Sequence, residues 1–461
     1  AVVVDPADGG LWIAGSSQCD LSLDEDAPVY QPKPGGFFDA FIAKVMPGAN
    51  GGGEVVYWSY FGGSGNDEAT AMSLGPDGAI VLAGHTNSLD FPPAGNAWRV
   101  DNPQLDVEAF VARFDPRIDE PKFAMTYSSY FGGPGREFPQ AVAADGQGRI
   151  VIAGYSNSGE LPKANDTGLQ PSNRGGQDIF FALFDGYAPT AANTLVKSSF
   201  LGGNSTDIAN FAAFDSRGRI VLAGVTMSDD FPLAGAPFQA ERPGWSAAFA
   251  AIIDPSLSGL DQLVYGTYIG GSGLDAATAG YLAPDGKLWL TGYTTSSDFL
   301  VTPNAAQSFR AGDVDSFLLV ADISQSGPEF LKYGPFFGAS GADIPYALAV
   351  NPQTQTAVIG GYSRSNDFLN RNNPGLHPPP ARVMEAFFAG ISTELSGPGA
   401  ILFSAHYGGK GRDIAYGAAY GPGGEIALVG STSPDDLPTA APTGKLNPPG
   451  FETGWYLRLL P

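Results

Sequence analysis

A glycine pair, Gly-Ala in one copy, closing a short aromatic or aliphatic run returns six times along this chain, and its spacing leaves few folds open. The copies read SYFGG at Gly62-Gly63, SYFGG at Gly132-Gly133, SFLGG at Gly202-Gly203, TYIGG at Gly270-Gly271, PFFGA at Gly338-Ala339 and AHYGG at Gly408-Gly409, 68 to 70 residues apart. An acidic residue follows each copy: Asp67, Glu137, Asp207, Asp275, Asp343 and Asp413. Then come an apolar alternating run, a turn such as PDG at Pro76 to Gly78, and a second run ending in glycine, as in IVLAG to Gly84 or Gly224. A long loop leads to a third, Phe-rich run, from DAFIAKV in the first copy to GWYLRLL in the last. A fixed period built from short β runs with turn chemistry between them is the mark of a repeat architecture.

Each copy predicts four strands: A after the acid, B after a tight turn, C the Phe-rich run, and D the run closed by the glycine pair. A lone four-stranded sheet cannot bury both faces, so the units must stack. Seven units without a helical stretch predict an all-β, seven-bladed β-propeller of four-stranded antiparallel blades. The blades fall at about 1–63, 64–133, 134–203, 204–271, 272–339, 340–409 and 410–461, one domain in a chain of 461 residues.

The string Tyr-x-x-Tyr-Phe-Gly-Gly-x-Gly-x-Asp, followed by Ser-x-Asp-Phe-Pro, resembles the bacterial β-propeller repeat family called SBBP. The second element stands at Ser88 to Pro92 and Ser228 to Pro232, and in weakened form at Ser158 to Pro162, Ser297 to Leu300 and Asp435 to Pro438. The resemblance covers nearly the whole chain. It implies a secreted or surface-exposed bacterial protein, extracellular or periplasmic, and says little about activity, because one fold hosts many functions.

Seven A, B and C runs stand against six D runs, because Ala1 to Val4 aligns with strand A and the last copy stops after strand C at Gly454 to Leu460. The last blade is thus expected to lack its outer strand within this chain. Its open edge calls for a cover, an upstream segment or a protein partner. The chain opens AVVVD, with no methionine and no signal-like segment, so its start is expected to be processed, engineered or incompletely represented.

With 24 basic against 47 acidic residues the net charge is −23. Nucleic acid is excluded as a partner, since it needs phosphate-neutralising cations. Cations, basic proteins or neutral glycans suit the chain better. One cysteine, Cys19, allows no internal disulfide, and no run of 18 apolar residues exists to span a membrane as a helix.

Three functions are open to such a chain. It is first a non-catalytic binding or assembly module working through its long B-to-C loops, which share one face with the D-to-A crossovers. Candidates there are His85, Trp98, Arg99, Arg174, Arg242, Trp245 and Arg310, with acids at Asp20 and Asp24 to Asp26, further residues at Asn370 to Asn373, His377 and Arg382, and Trp455 and Tyr456 at the open edge. Second is a glycan- or metabolite-active enzyme using channel-mouth carboxylates or the doubled acids Asp229-Asp230 and Asp435-Asp436. Third is a structural protein stabilised by a hard cation such as Ca²⁺ on the ring of six repeat acids. Their recurrence in every blade favours another role, capping backbone N–H groups. Three scattered histidines, no GxSxG elbow, no phosphate loop and no CxxC leave no catalytic residue to nominate and no cofactor to expect.

Overall fold

The computed structural model describes residues 1–18, 29–48, 53–103, 106–118, 120, 124–368, 384–409, 411–433, 437 and 453–460. Seven antiparallel sheets follow one another in chain order, their strands paired as consecutive neighbours in the order A-B-C-D, with A-B-C described in the last. Blade 2 is typical: Asp67–Leu74, Ile80–Thr86, Glu108–Phe114 and Met125–Phe131. Strand A is innermost, since each A strand lies against the A strand of the next blade, and that of blade 7 (Arg412–Tyr420) lies against that of blade 1 (Val2–Val4). The circle therefore closes.

The blade interfaces hold the core. Phe231 lies with Phe181 and Leu201 of blade 3 and Phe249 of blade 4 in one cluster, and Phe299 sits likewise between blades 4 and 5. The Phe of each Asp-Phe element is thus a plug between blades, its ring 4.6 to 5.2 Å from the strand C phenylalanine in four of them. Each such ring removes well over 100 Å² from water, a few kcal/mol apiece.

A bulge near the start of strand A explains the strand B glycines. The register slips between Ala209 and Phe211 in blade 4, and equivalently in blades 2, 3, 5, 6 and 7. The bulge pushes a carbonyl toward strand B, so that a Cβ at Gly84, Gly154, Gly224, Gly292, Gly361 or Gly430 would land on it. Only glycine fits there.

Blade 7 has three described strands, A, B (Ile426–Ser433) and C (Thr453–Leu459), as expected. Its joint with blade 1 is made by side chains: Val2, Leu11 and Val45 pack on Ala427 and Val429, and Tyr456 packs against them. Two expectations need correcting. Strand D of blade 5 is split into Leu331–Tyr333 and Phe336–Phe337, because Pro335 has no N–H to give the ladder. Helix is also present, as single turns in the links: Ala164–Thr167 and Ala191–Thr194, and 3₁₀ turns at Gly259–Gln262, Gly327–Phe330 and Gly397–Ala400. Each 3₁₀ turn opens on a glycine with φ of 57° to 59°, a local signal that β patterning hides.

Candidate functional site

The repeat acids are buried at the blade junctions and organise the crossovers. Asp67 accepts hydrogen bonds from Gly63 N (2.9 Å), Ser88 Oγ (2.8 Å) and the Thr86 hydroxyl. Asp207 does the same for Gly203 N and Ser228 Oγ, and Asp343 for Ala339 N and Ser365 Oγ. The serine of Ser-x-Asp-Phe-Pro thus exists to hold the acid, and in blade 5 that serine is Ser296. The Asp of the same element caps the crossover from outside: Asp90 accepts from Ser64 N at 2.7 Å, and Asp298 from Ser272 N at 2.9 Å. Of the doubled acids, Asp230 takes Asn204 N and Asp229 the Asn204 side chain, while Asp435-Asp436 lies outside the described residues.

A second buried carboxylate opens strand C at most junctions, a feature the sequence reading missed. Asp39, Glu108, Asp178, Asp315 and Glu385 face Asp67, Glu137, Asp207, Asp343 and Asp413 across the first glycine of the pair. A Cβ at Gly62 would stand 2.7 Å from Asp39 Cγ and 2.8 Å from Asp67 Oδ2, which is why that residue is glycine. Burial pushes Glu108 up to about 7, with Glu137 adding to the rise and Arg99 opposing it. Asp178 is pushed up to about 6 by burial, with Asp207 contributing. Burial also raises Asp67, Glu137, Asp207, Asp275, Asp315 and Asp343. Among the described residues no three His, Cys, Asp or Glu side chains gather closely enough to hold a metal ion.

The other candidates separate into staples and free surface. Arg99 is mostly buried and pairs with Glu108, with Trp98 beneath its guanidinium at 5.5 Å. Arg242 and Arg310 fold back onto their own loops, onto the carbonyls of Gly244 and Trp245 and of Gly312 and Asp313. Trp455 is buried, donating to Ser431 O at 2.9 Å, and Tyr456 packs in the blade 7 to blade 1 joint. Arg174 and Trp245 are exposed. His85 is half-buried at the channel end of the loop face, 5.1 Å from the Phe138 ring, with Glu68 3.9 Å away. Cys19, Asp20, Asp24 to Asp26, Asn370 to Asn373, His377 and Arg382 lie outside the described residues.

His406 stands near the end of strand D where blades 1, 2 and 4 have Tyr60, Tyr130 and Tyr268 and blades 3 and 5 have Phe200 and Phe336. In blade 2 Tyr130 Oη accepts from Phe91 N (2.8 Å) and donates to Ser88 O (2.9 Å), and Tyr268 repeats this in blade 4. His406 is 1% exposed, 4.6 Å from the Phe368 ring, and neither of its nitrogens has a partner among the described residues. Burial drives its pKa down to about 4. The unfolded chain takes a proton near pH 6.5 that the folded ring refuses, so this site costs stability progressively as pH falls from 6.5 toward 4. His406→Tyr is expected to raise stability by roughly 1–2 kcal/mol at pH 7 by restoring the corner, and by more at pH 5. Equal urea midpoints for the two chains at pH 5 would refute this.

Where strand A bulges, a small polar side chain normally ties one inner strand to the next. Thr70 donates to Pro139 O (2.7 Å), Asn210 to Ala277 O (2.8 Å) and Thr278 to Pro345 O (2.7 Å). Blades 6 and 7 put Tyr346 and Tyr416 at this position. Their rings are 5.7 Å apart, with Tyr362 6.1 Å from Tyr346. Both remain well exposed, at 37% and 45%. Tyr346 is pushed up to about 12 by burial first, then by its tyrosine neighbours, Tyr293 among them. Arg364 lies 5.8 Å from the Tyr362 ring, and Arg412 opens the strand carrying Tyr416. These six residues form an aromatic, cationic arc at the channel end of the loop face.

No family model matches the chain. The regulatory protein FlaEY of Caulobacter vibrioides is 22% identical over 328 residues, which cover 66% of this chain and 31% of FlaEY. The chain therefore spans about a third of the length of that curated relative. Among solved structures, hydrazine synthase of Kuenenia stuttgartiensis is 12% identical with a TM-score of 0.40, covering 78% of this chain and 76% of its own. The structure of U3-55K is 10% identical with a TM-score of 0.44, covering 93% and 86%.

Proposed function

We propose that this chain is a non-catalytic binding module, an exported bacterial propeller that holds a protein partner on its loop face within a surface or extracellular structure. The observation that carries the reading is the one-sided placement of exposed aromatic rings. Phe37, Trp245, Phe309, Tyr346 and Tyr416 all lie on the loop face, Trp245 being 80% exposed. On the opposite face Tyr187 is exposed, and its hydroxyl is engaged by Asp77 at 2.5 Å. Exposed aromatic clusters of this kind mark contact surfaces, because they carry most of the energy of protein association. The resemblance to a secreted bacterial repeat family supports export, and the bacterial relative carries a regulatory name. A non-catalytic role is supported by the position of the pKa-shifted carboxylates, which are closed off beneath glycine crossovers from any substrate.

Panning the immobilised propeller against a phage-displayed library of random dodecapeptides tests this. Binders are expected to be enriched, and Trp245→Ser with Phe309→Ser is expected to cut their retention by about tenfold, the effect of losing one hot-spot contact. Leu260→Ser, on the opposite face and equally exposed, should leave retention unchanged. Equal retention by all three proteins would refute the loop-face reading.

A further inference from the structure

We infer that the arc of Tyr293, Tyr346, Tyr362, Tyr416, Arg364 and Arg412 takes an acidic, aromatic-tolerant segment of the partner, an inference that rests on the binding-module reading above. At the bulge position, the repeat needs only a small hydrogen-bonding side chain to tie the inner strands, as Thr70, Asn210 and Thr278 show. Tyr346 and Tyr416 replace that polar tie with large rings left partly in water, 5.7 Å apart. The rings pack on one another yet leave more than a third of each side chain in water, and departure from a local structural rule is expected at functional positions.

Charge names the occupant. The chain carries 47 acidic against 24 basic residues, so a cation without an acid beside it stands out. Arg364 and Arg412 are exposed, and neither has a carboxylate within ion-pairing distance among the described residues. The acids nearby are turned inward or engaged: Asp343 takes Ala339 N at 2.8 Å, Asp413 takes Gly409 N at 3.0 Å, and Asp367 takes Ser340 N at 3.0 Å. Asp343 and Asp413 are buried while both arginines meet solvent; Asp367 is exposed as well, but its carboxylate is held by Ser340. Net charge favours a basic partner, but this patch has the opposite sign, and contact energy is decided locally. Tyrosine and arginine together are the residues enriched where proteins bind segments of other proteins. Rigid tyrosine rings supply contact area at little entropic cost, while guanidinium groups pair carboxylates.

The same dodecapeptide library decides it. Peptides enriched on the wild-type propeller are expected to carry a surplus of Asp and Glu, to lose about tenfold in retention on the Arg364→Glu, Arg412→Glu variant, and to be released by 0.5 M NaCl as exposed ion pairs are screened. Tyr346→Ala with Tyr416→Ala should weaken the same peptides. Both arginines are exposed and make no ion pair among the described residues, so that variant is expected to melt with the wild type and serves even where the tyrosine variant does not fold. Enriched peptides without acidic surplus, or acidic peptides retained by the arginine variant, would overturn the inference; if those peptides still depend on Trp245 and Phe309, the binding-module reading stands without it. Capture of a polygalacturonate probe by the arc with no peptide enriched would overturn both in favour of a glycan.

Discussion

Gly224→Ala is expected to lower the unfolding free energy, read from denaturant titration, by about 3 kcal/mol or more, the upper range for overpacking a rigid site. The added Cβ would land on the Ile208 carbonyl oxygen and come within 3.0 Å of Ala209 Cα. Both are backbone atoms of the bulged inner strand, held in place by the ladder to strand B and by the neighbouring blade, so neither can step aside. Gly15 provides the comparison, since it occupies the same place in strand B of blade 1 but faces only the Phe41 ring, 3.2 Å away. Gly15→Ala is expected to cost less than about 1 kcal/mol, because a ring can shift by tenths of an ångström. Equal losses in the two variants would mean that the bulge does not set the requirement for glycine.

Stability is expected to fall as pH rises from 5 to 8, against the habit of most proteins. Glu108 titrates near 7 in the folded chain and near 4.5 when unfolded, so the folded state binds its proton more tightly. That contribution is fully present below about pH 4.5 and is lost as pH rises through 7. Asp178, at about 6 against 3.8, behaves the same way over a lower window. Each shift spans about two pH units, on the order of 3 kcal/mol. His406 acts in the opposite sense below pH 6.5, so the net gain on acidification should be clearest between pH 8 and 6.5. Glu108→Gln mimics the protonated acid and keeps an acceptor for Arg99. Melting temperatures across this range should rise on acidification in the wild type and rise less in the variant. A slope unchanged by Glu108→Gln would show that the buried pair is not the source.

The fold was readable because the repeat is a covalent regularity: a glycine pair every seventy residues, an acid after it and a Phe-rich run are visible without coordinates. The role of the acids was half readable. Asp67 and its equivalents stood out, but their partners Asp39, Glu108 and Asp178 stand at the head of apolar runs, and nothing in the string shows that a glycine lets the two carboxylates meet. The arc was hidden for a different reason. Tyr346 and Tyr416 sit in alternating runs where an aromatic residue reads as core, and only the bulge turns them toward the axis. Conversely, Arg99, Arg242 and Arg310 read as loop cations and are loop staples, a difference set by which carbonyl or carboxylate folds back within reach.

The joint between Val2–Val4 and the last blade brings the two ends of the described chain onto one apolar patch, where Val2, Leu11 and Val45 press on Ala427 and Val429 with Tyr456 against them. These residues are hundreds of positions apart, so this interface is the most non-local contact of the fold and its ordering cost falls on closing the circle.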